Sequence, residues 1–171
     1  AKSERGKLCQ LVEHPDLRHL PADATCANLF ERIGEARRSQ GGKLLDLRAG
    51  LGYFCRRFGR QGFECFAFEP DPASASLLRK IGDQLTGQFH LIGEPTPAVL
   101  KRQRFDIALL LGGLDRFTAT NGSAEALCRQ LASIRTEELF LECRGSSEES
   151  VAQQVAEPLH SRKSSSVLML A

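Results

Sequence analysis

The sequence predicts a doubly wound α/β domain: a mostly parallel sheet with helices on both faces. Three observations carry this. From residue 43 onward, short apolar runs of strand length alternate with amphipathic stretches of helical period. One run, FDIALLL (105–111), is continuously apolar after its acid, as a strand buried on both faces is. Two of the runs end on an acid and then on glycines or prolines, the punctuation of a strand giving way to a helix. Right-handed crossovers between parallel strands then wind the sheet in both directions.

In chain order, residues 1–40 read as an N-terminal helical segment ahead of the α/β domain at 41–171. Asp23 or Thr25 is placed to cap a helix running through Cys26, Leu29, Phe30 and Ile33. Gln40-Gly41-Gly42 breaks the chain. Strands are predicted at Lys43–Leu47, Phe63–Phe68, Gln88–Ile92, Phe105–Leu111 and Glu138–Cys143. Helices are predicted at Tyr53–Arg60, Pro72–Gln84, Pro97–Arg102 and Ser123–Ile134. Beyond them, 147–157 can form one more helix, 161–166 is a polar loop, and SVLML (166–170) reads as a last short strand. No repeat or linker divides the chain.

Composition narrows the class. The 171 residues are 42% hydrophobic and 26% charged, as in a soluble globular domain. A net charge of +2 with scattered arginines gives no nucleic-acid signal. No apolar run approaches the roughly 18 residues of a membrane span, and AKSERGKLCQ lacks the apolar core of a signal peptide. The six cysteines form no CxxC and no zinc-spaced cluster with histidine. They read as free, buried thiols in a reducing cytoplasm, with no metal site.

The chemistry concentrates at strand ends. In DLRAGLG (46–52) a strand passes through a tight glycine turn into a helix, which brings backbone N–H groups to an open surface. Gly50 and Gly52 lack the Cβ that would bar a ligand's approach. Glu69 ends the second strand, where such folds place an acid on ribose hydroxyls, and Pro70 and Pro72 stiffen the turn that follows. Gly93-Glu94 ends the third strand with an acid able to accept from an adenine amino group. Ligands of open α/β sheets bind at that edge.

These segments resemble the class I S-adenosylmethionine-dependent methyltransferases over about Lys43 to Cys143. LLDLRAGLG is similar to the family's first motif, FAFEPDP to its second, IGEP to its third, and FDIALLLGGLDRF to the strand-4 segment beside the methyl donor. LGYF and AFEPDP are also reminiscent of the FkbM-type branch. The overall layout loosely resembles bacterial methyltransferases that act on polysaccharide or sugar ends. The resemblance implies a Rossmann-like fold and S-adenosylmethionine as cofactor, leaving as S-adenosylhomocysteine. Asp46 would organise the glycine loop and meet the methionine ammonium. Arg48, Ala49, Gly50, Gly52 and Tyr53 would lie along the cofactor. Glu69 would hold the ribose, Pro70 and Asp71 would lie beside the adenine, and Gly93 and Glu94 would meet its amino group. Leu111 and Gly112 would line the wall near the sulfonium. Family members continue past strand 5 with a helix and an antiparallel strand pair, so a sheet truncated at that pair is expected here.

Two departures set the open questions. Arg48 stands where the family has its first glycine. Its guanidinium can block the methionine half of the pocket, pair with the cofactor carboxylate, Asp46 or Glu69, or face outward. The segment after strand 4, GGLDRF, lacks both the histidine pair of small-molecule methylators and the Asn/Asp-Pro-Pro-aromatic motif used on planar amines. A hydroxyl on a small molecule or saccharide is then the expected acceptor, with Asp115, His14 or His19 as general base. Two other readings stand beside this one. The first is a methyltransferase-like binding or regulatory module without catalysis. The second is a dinucleotide-dependent oxidoreductase, against which the missing G-x-G-x-x-G counts.

Overall fold

A computed structural model describes residues 24–82, 89–93, 100, 102–112, 124–143, 153 and 166–170. The described elements are α1 (Thr25–Ala36), β1 (Gly42–Asp46), α2 (Tyr53–Gly59), β2 (Phe63–Ala67), α3 (Pro72–Gly82) and β3 (Phe89–Leu91). They are followed by β4 (Arg104–Leu110), α4 (Ala124–Ser133), β5 (Arg135–Glu142) and β6 (Ser166–Leu170). The six strands form one sheet in the order β3-β2-β1-β4-β5-β6. Each pairing is parallel.

Strand alternation sorts the core into two layers. Leu44 of β1, Cys65 of β2, Ile107 and Leu109 of β4 and Phe140 of β5 point to one face. There they meet Leu29, Phe30 and Ile33 of α1, Phe54 and Phe58 of α2 and Leu78 of α3. Leu45, Phe66, Ala108, Leu110, Leu139 and Leu141 point to the other face, against Leu100 and Leu127 and Leu131 of α4. Phe58 packs on both Phe30 and Phe63, with ring centroids 4.9 and 5.4 Å apart. Residues 100 and 102 are helical, inside the helix predicted at Pro97–Arg102.

Two sequence expectations are corrected. Thr25 is the first residue of α1, whose N-cap is Ala24 with no side-chain cap. Ala24 already has helical dihedrals (φ −70°, ψ −13°), so the turn begins ahead of the threonine; Asp23 lies outside the described residues. β5 starts at Arg135, three positions before the predicted Glu138. Its ladder with β4 begins at Arg104↔Arg135 and Phe105↔Thr136, and on β5 both positions, Arg135 and Thr136, are polar and carry no apolar signal. β6 lies directly on β5 and parallel to it, Glu138↔Ser166 through Glu142↔Leu170. The chain between Glu142 and Ser166 is long enough for the crossover that a parallel neighbour requires. No antiparallel strand occurs among the described residues.

The junction of α1 and β1 is tied to β5, two strands away from β1 in the sheet. Glu138 of β5 is 1% exposed. Its carboxylate accepts from the Arg38 amide at 2.8 Å and from the Ser39 amide and hydroxyl at 2.9 and 2.8 Å. The Arg38 guanidinium stands 3.6 Å away and also donates to the Ser166 hydroxyl at the start of β6. At the start of β1, Gly42 (φ +106°) sits so close to β4 that a Cβ would lie 2.1 Å from Asp106 Oδ2. That carboxylate accepts the Lys43 amide at 2.7 Å.

Candidate functional site

The site is built where the C-terminal ends of β1, β2, β4 and β5 converge. Asp46 ends β1 on the α2 face and is wholly buried. Its Oδ1 accepts the Arg48 amide at 3.1 Å, and the Cys55 thiol lies 3.9 Å from Oδ2. Burial pushes its pKa up to about 7. The Arg48 amide works against that shift and the Glu69 charge adds to it. Asp46 therefore holds the loop from the inside.

The loop itself turns through Gly50 (φ +56°) and Gly52 (φ +77°), which occupy the left-handed region. Gly52 N–H donates to the Ala49 carbonyl at 2.7 Å, and Ala49 N–H donates to the Phe68 carbonyl beyond β2 at 2.9 Å. A Cβ on Gly52 would come 2.8 Å from Leu78 of α3, so this glycine also sets how closely the loop packs on that helix.

Glu69, 9% exposed, braces this loop against the next one. Oε2 accepts the Gly50 amide at 2.6 Å, and Oε1 accepts the Asp71 amide at 2.8 Å. Asp71 then caps α3, accepting the Ser74 amide at 2.7 Å. That bond holds the Asp71 carboxyl below its usual range, and the Arg48 charge adds to the effect. Pro70 sits half-buried between the two acids, and Pro72 opens α3.

At the tip of β4, Leu111 is buried and Gly112 has φ +93°. Gly112 N–H donates to Glu142 Oε2 at 2.5 Å, and its carbonyl accepts from the Arg48 guanidinium. Arg48 thus reaches from the β1 loop across to the end of β4. A Cβ on Gly112 would lie 3.3 Å from Arg48 Nη1, so the bare glycine leaves room for the guanidinium. No described non-glycine residue has positive φ, so Arg48 holds its place in the glycine loop without backbone strain. Glu142 was not singled out from sequence. A strand-end acid before Cys143 is a weak signal, and only the pairing of β4 with β5 sets it beside Gly112.

The other expected residues divide into two groups. Ala49 is buried inside the loop, and Gly93 is exposed just past β3. Tyr53 is 5% exposed, its ring edge-on to Phe30 and Phe54 and flanked by Arg57, which are the contacts of a core residue. Glu94, Asp115, His14 and His19 lie outside the described residues. His90 hydrogen-bonds Glu64 at 2.9 Å and stacks on Phe66, a structural placement. Among the described residues, no three His, Cys, Asp or Glu side chains are grouped to hold a metal. No described helix is long and apolar enough to cross a membrane.

No family model and no curated protein matches the sequence. Solved structures do match its fold. The crystal structure of monomeric WbdD is 16% identical with a TM-score of 0.58, covering 80% of this chain and 36% of that one. A Methanococcus maripaludis protein assigned to the S-adenosyl-L-methionine-dependent methyltransferases is 15% identical with a TM-score of 0.53, covering 74% of this chain and 60% of that one. The glycopeptide N-methyltransferase MtfA, solved with S-adenosylmethionine, overlaps more loosely: TM-score 0.48, 20% identity, 73% and 54% coverage. The chain spans less than two thirds of the length of each. Its parallel sheet, with the glycine loop after β1, has the Rossmann-like fold of the class I S-adenosylmethionine-dependent methyltransferases.

Proposed function

We propose that the chain binds S-adenosylmethionine across the tips of β1, β2 and β4 and transfers its methyl group to a small-molecule or glycan-like hydroxyl. One observation carries this: a glycine loop after β1 is fastened to the end of β2 by Glu69, beside a half-buried guanidinium that no carboxylate neutralises among the described residues. The residues fit the cofactor. Glu69 accepts one N–H on each oxygen and keeps a lone pair on each for ribose hydroxyls. Gly50 and Gly52 let the loop lie against the ligand. Pro70 and Asp71 would flank the adenine, Gly93 and Glu94 would meet its amino group, and Leu111 and Gly112 would line the far wall.

The bound cofactor supplies an electrophilic methyl on a sulfonium, so the protein's work is positioning and exclusion of water. Asp46, buried and bonded to the Arg48 amide, fixes the loop rather than moving a proton in the reaction. Asp115, His14 and His19 remain the proposed general bases for a hydroxyl acceptor.

Calorimetric titration with S-adenosylmethionine and S-adenosylhomocysteine tests the reading. Micromolar binding by the wild type, lost in Glu69→Ala, supports it; silence from the wild type overturns it. A second reading, a binding or regulatory module without catalysis, is favoured by the Arg48–Gly112 contact drawn across the crevice. Binding without methyl transfer to any hydroxylated acceptor in a saccharide screen would select it.

A further inference from the structure

The three described acids at the strand tips are all committed to backbone amides. Asp46 takes that of Arg48, Glu69 those of Gly50 and Asp71, and Glu142 that of Gly112. Asp71 is committed to Ser74. Arg48 is the cation in their midst, yet no described carboxylate lies within ion-pair distance of it. For its five side-chain N–H groups, the Gly112 carbonyl is the only acceptor among the described residues. A half-buried guanidinium with most of its fork unused, at the crevice where the strand order reverses between β1 and β4, is built to meet an anion.

We propose that Arg48 is the receptor for a ligand carboxylate and so the specificity-determining residue of the site. The Gly112 carbonyl holds one edge of the fork, and the remaining N–H groups face the amino-acid end of an adenosyl ligand. The inference rests on the cofactor reading above and adds to it the selection of ligands that carry a carboxylate. Anchoring at Gly112 lowers the side-chain freedom lost on binding. The bare Cα of Gly112 is what leaves space for that anchoring.

The test compares S-adenosylhomocysteine with 5′-methylthioadenosine, which keeps the nucleoside and lacks the amino-acid end. Both are titrated into the wild type, Arg48→Gln, Arg48→Lys and Arg48→Gly, each checked by thermal melting. Loss of a charge-assisted contact should weaken S-adenosylhomocysteine by roughly 10- to 100-fold in Arg48→Gln. Arg48→Lys should be affected less, and 5′-methylthioadenosine should bind all four proteins alike. Tighter S-adenosylhomocysteine binding by Arg48→Gly would overturn the proposal and make Arg48 an obstruction. Equal weakening of both ligands would also overturn it, reducing Arg48 to a loop brace. If both ligands bind and no Arg48 variant changes their ratio, the carboxylate assignment alone fails. If neither binds even the wild type, or a dinucleotide binds instead, the cofactor reading itself fails.

Discussion

Ser39 gives both its amide and its hydroxyl to one carboxylate oxygen of Glu138, at 2.9 and 2.8 Å, while the Arg38 amide takes the other oxygen. Burial alone would raise the Glu138 pKa; the donors from Ser39 and Arg38 outweigh it and hold the carboxyl below its usual range. Glu138→Ala strands three donors and should lower stability by roughly 3 kcal/mol in urea denaturation. Glu138→Gln, which keeps one acceptor oxygen, should lose less. Because the folded pKa is depressed, the wild-type contribution is complete above the unfolded value near 4.5 and is lost as pH falls through the folded one. The difference between wild type and Glu138→Gln should therefore narrow at acid pH.

Asp46 has the opposite sign. Its folded pKa of about 7 lies above the ordinary 3.8, so between those values the folded state binds the extra proton. Stability should fall as pH rises through that window, by an amount of order 4 kcal/mol for the group in isolation. Asp46→Asn removes the titration and keeps an acceptor for the Arg48 amide. Denaturation at pH 5 and pH 8 should show the variant gaining on the wild type at the higher pH.

Gly42→Ala combines a left-handed φ with a Cβ driven into the Asp106 carboxylate. The clash dislodges the acceptor of the Lys43 amide as well. A loss of about 3 kcal/mol or more is expected from thermal or chemical unfolding. Gly59→Ala, where a Cβ meets nothing within 4 Å and φ is not left-handed, is the control and should be near neutral.

Native thiol labelling should separate the described cysteines. Cys55, Cys65 and Cys143 are buried, and Cys26 is partly exposed. Contact with the Cys65 thiol, burial and the Asp46 charge all push the Cys55 thiol up, which suppresses its thiolate. Brief alkylation read by mass spectrometry should modify Cys26 ahead of the other three, which should react only on unfolding.

The parallel sheet was legible because its evidence is local. LLD, FECFA and FDIALLL have the length and polarity of buried strands, and β6 was placed at the residues it occupies. Asp46 and Glu69 were legible as strand-end acids. What they bind was not, because Glu69 meets Gly50 only after the two loops are folded together. Arg48 shows the same limit: nothing in the sequence pairs it with the Gly112 carbonyl, which only the fold brings within its reach. Glu142 and the early start of β5 stayed hidden because both follow from register with β4 rather than from apolar period.

The bonds of Arg38 and Ser39 to Glu138 join residues 100 and 99 positions apart. At the pace of synthesis, that separation corresponds to ~5–20 s between the emergence of Ser39 and that of its partner. For that interval the α1–β1 junction lacks its carboxylate, and the contacts within its reach are the apolar ones of Leu29, Phe30 and Ile33 with Leu44, Phe58 and Phe63.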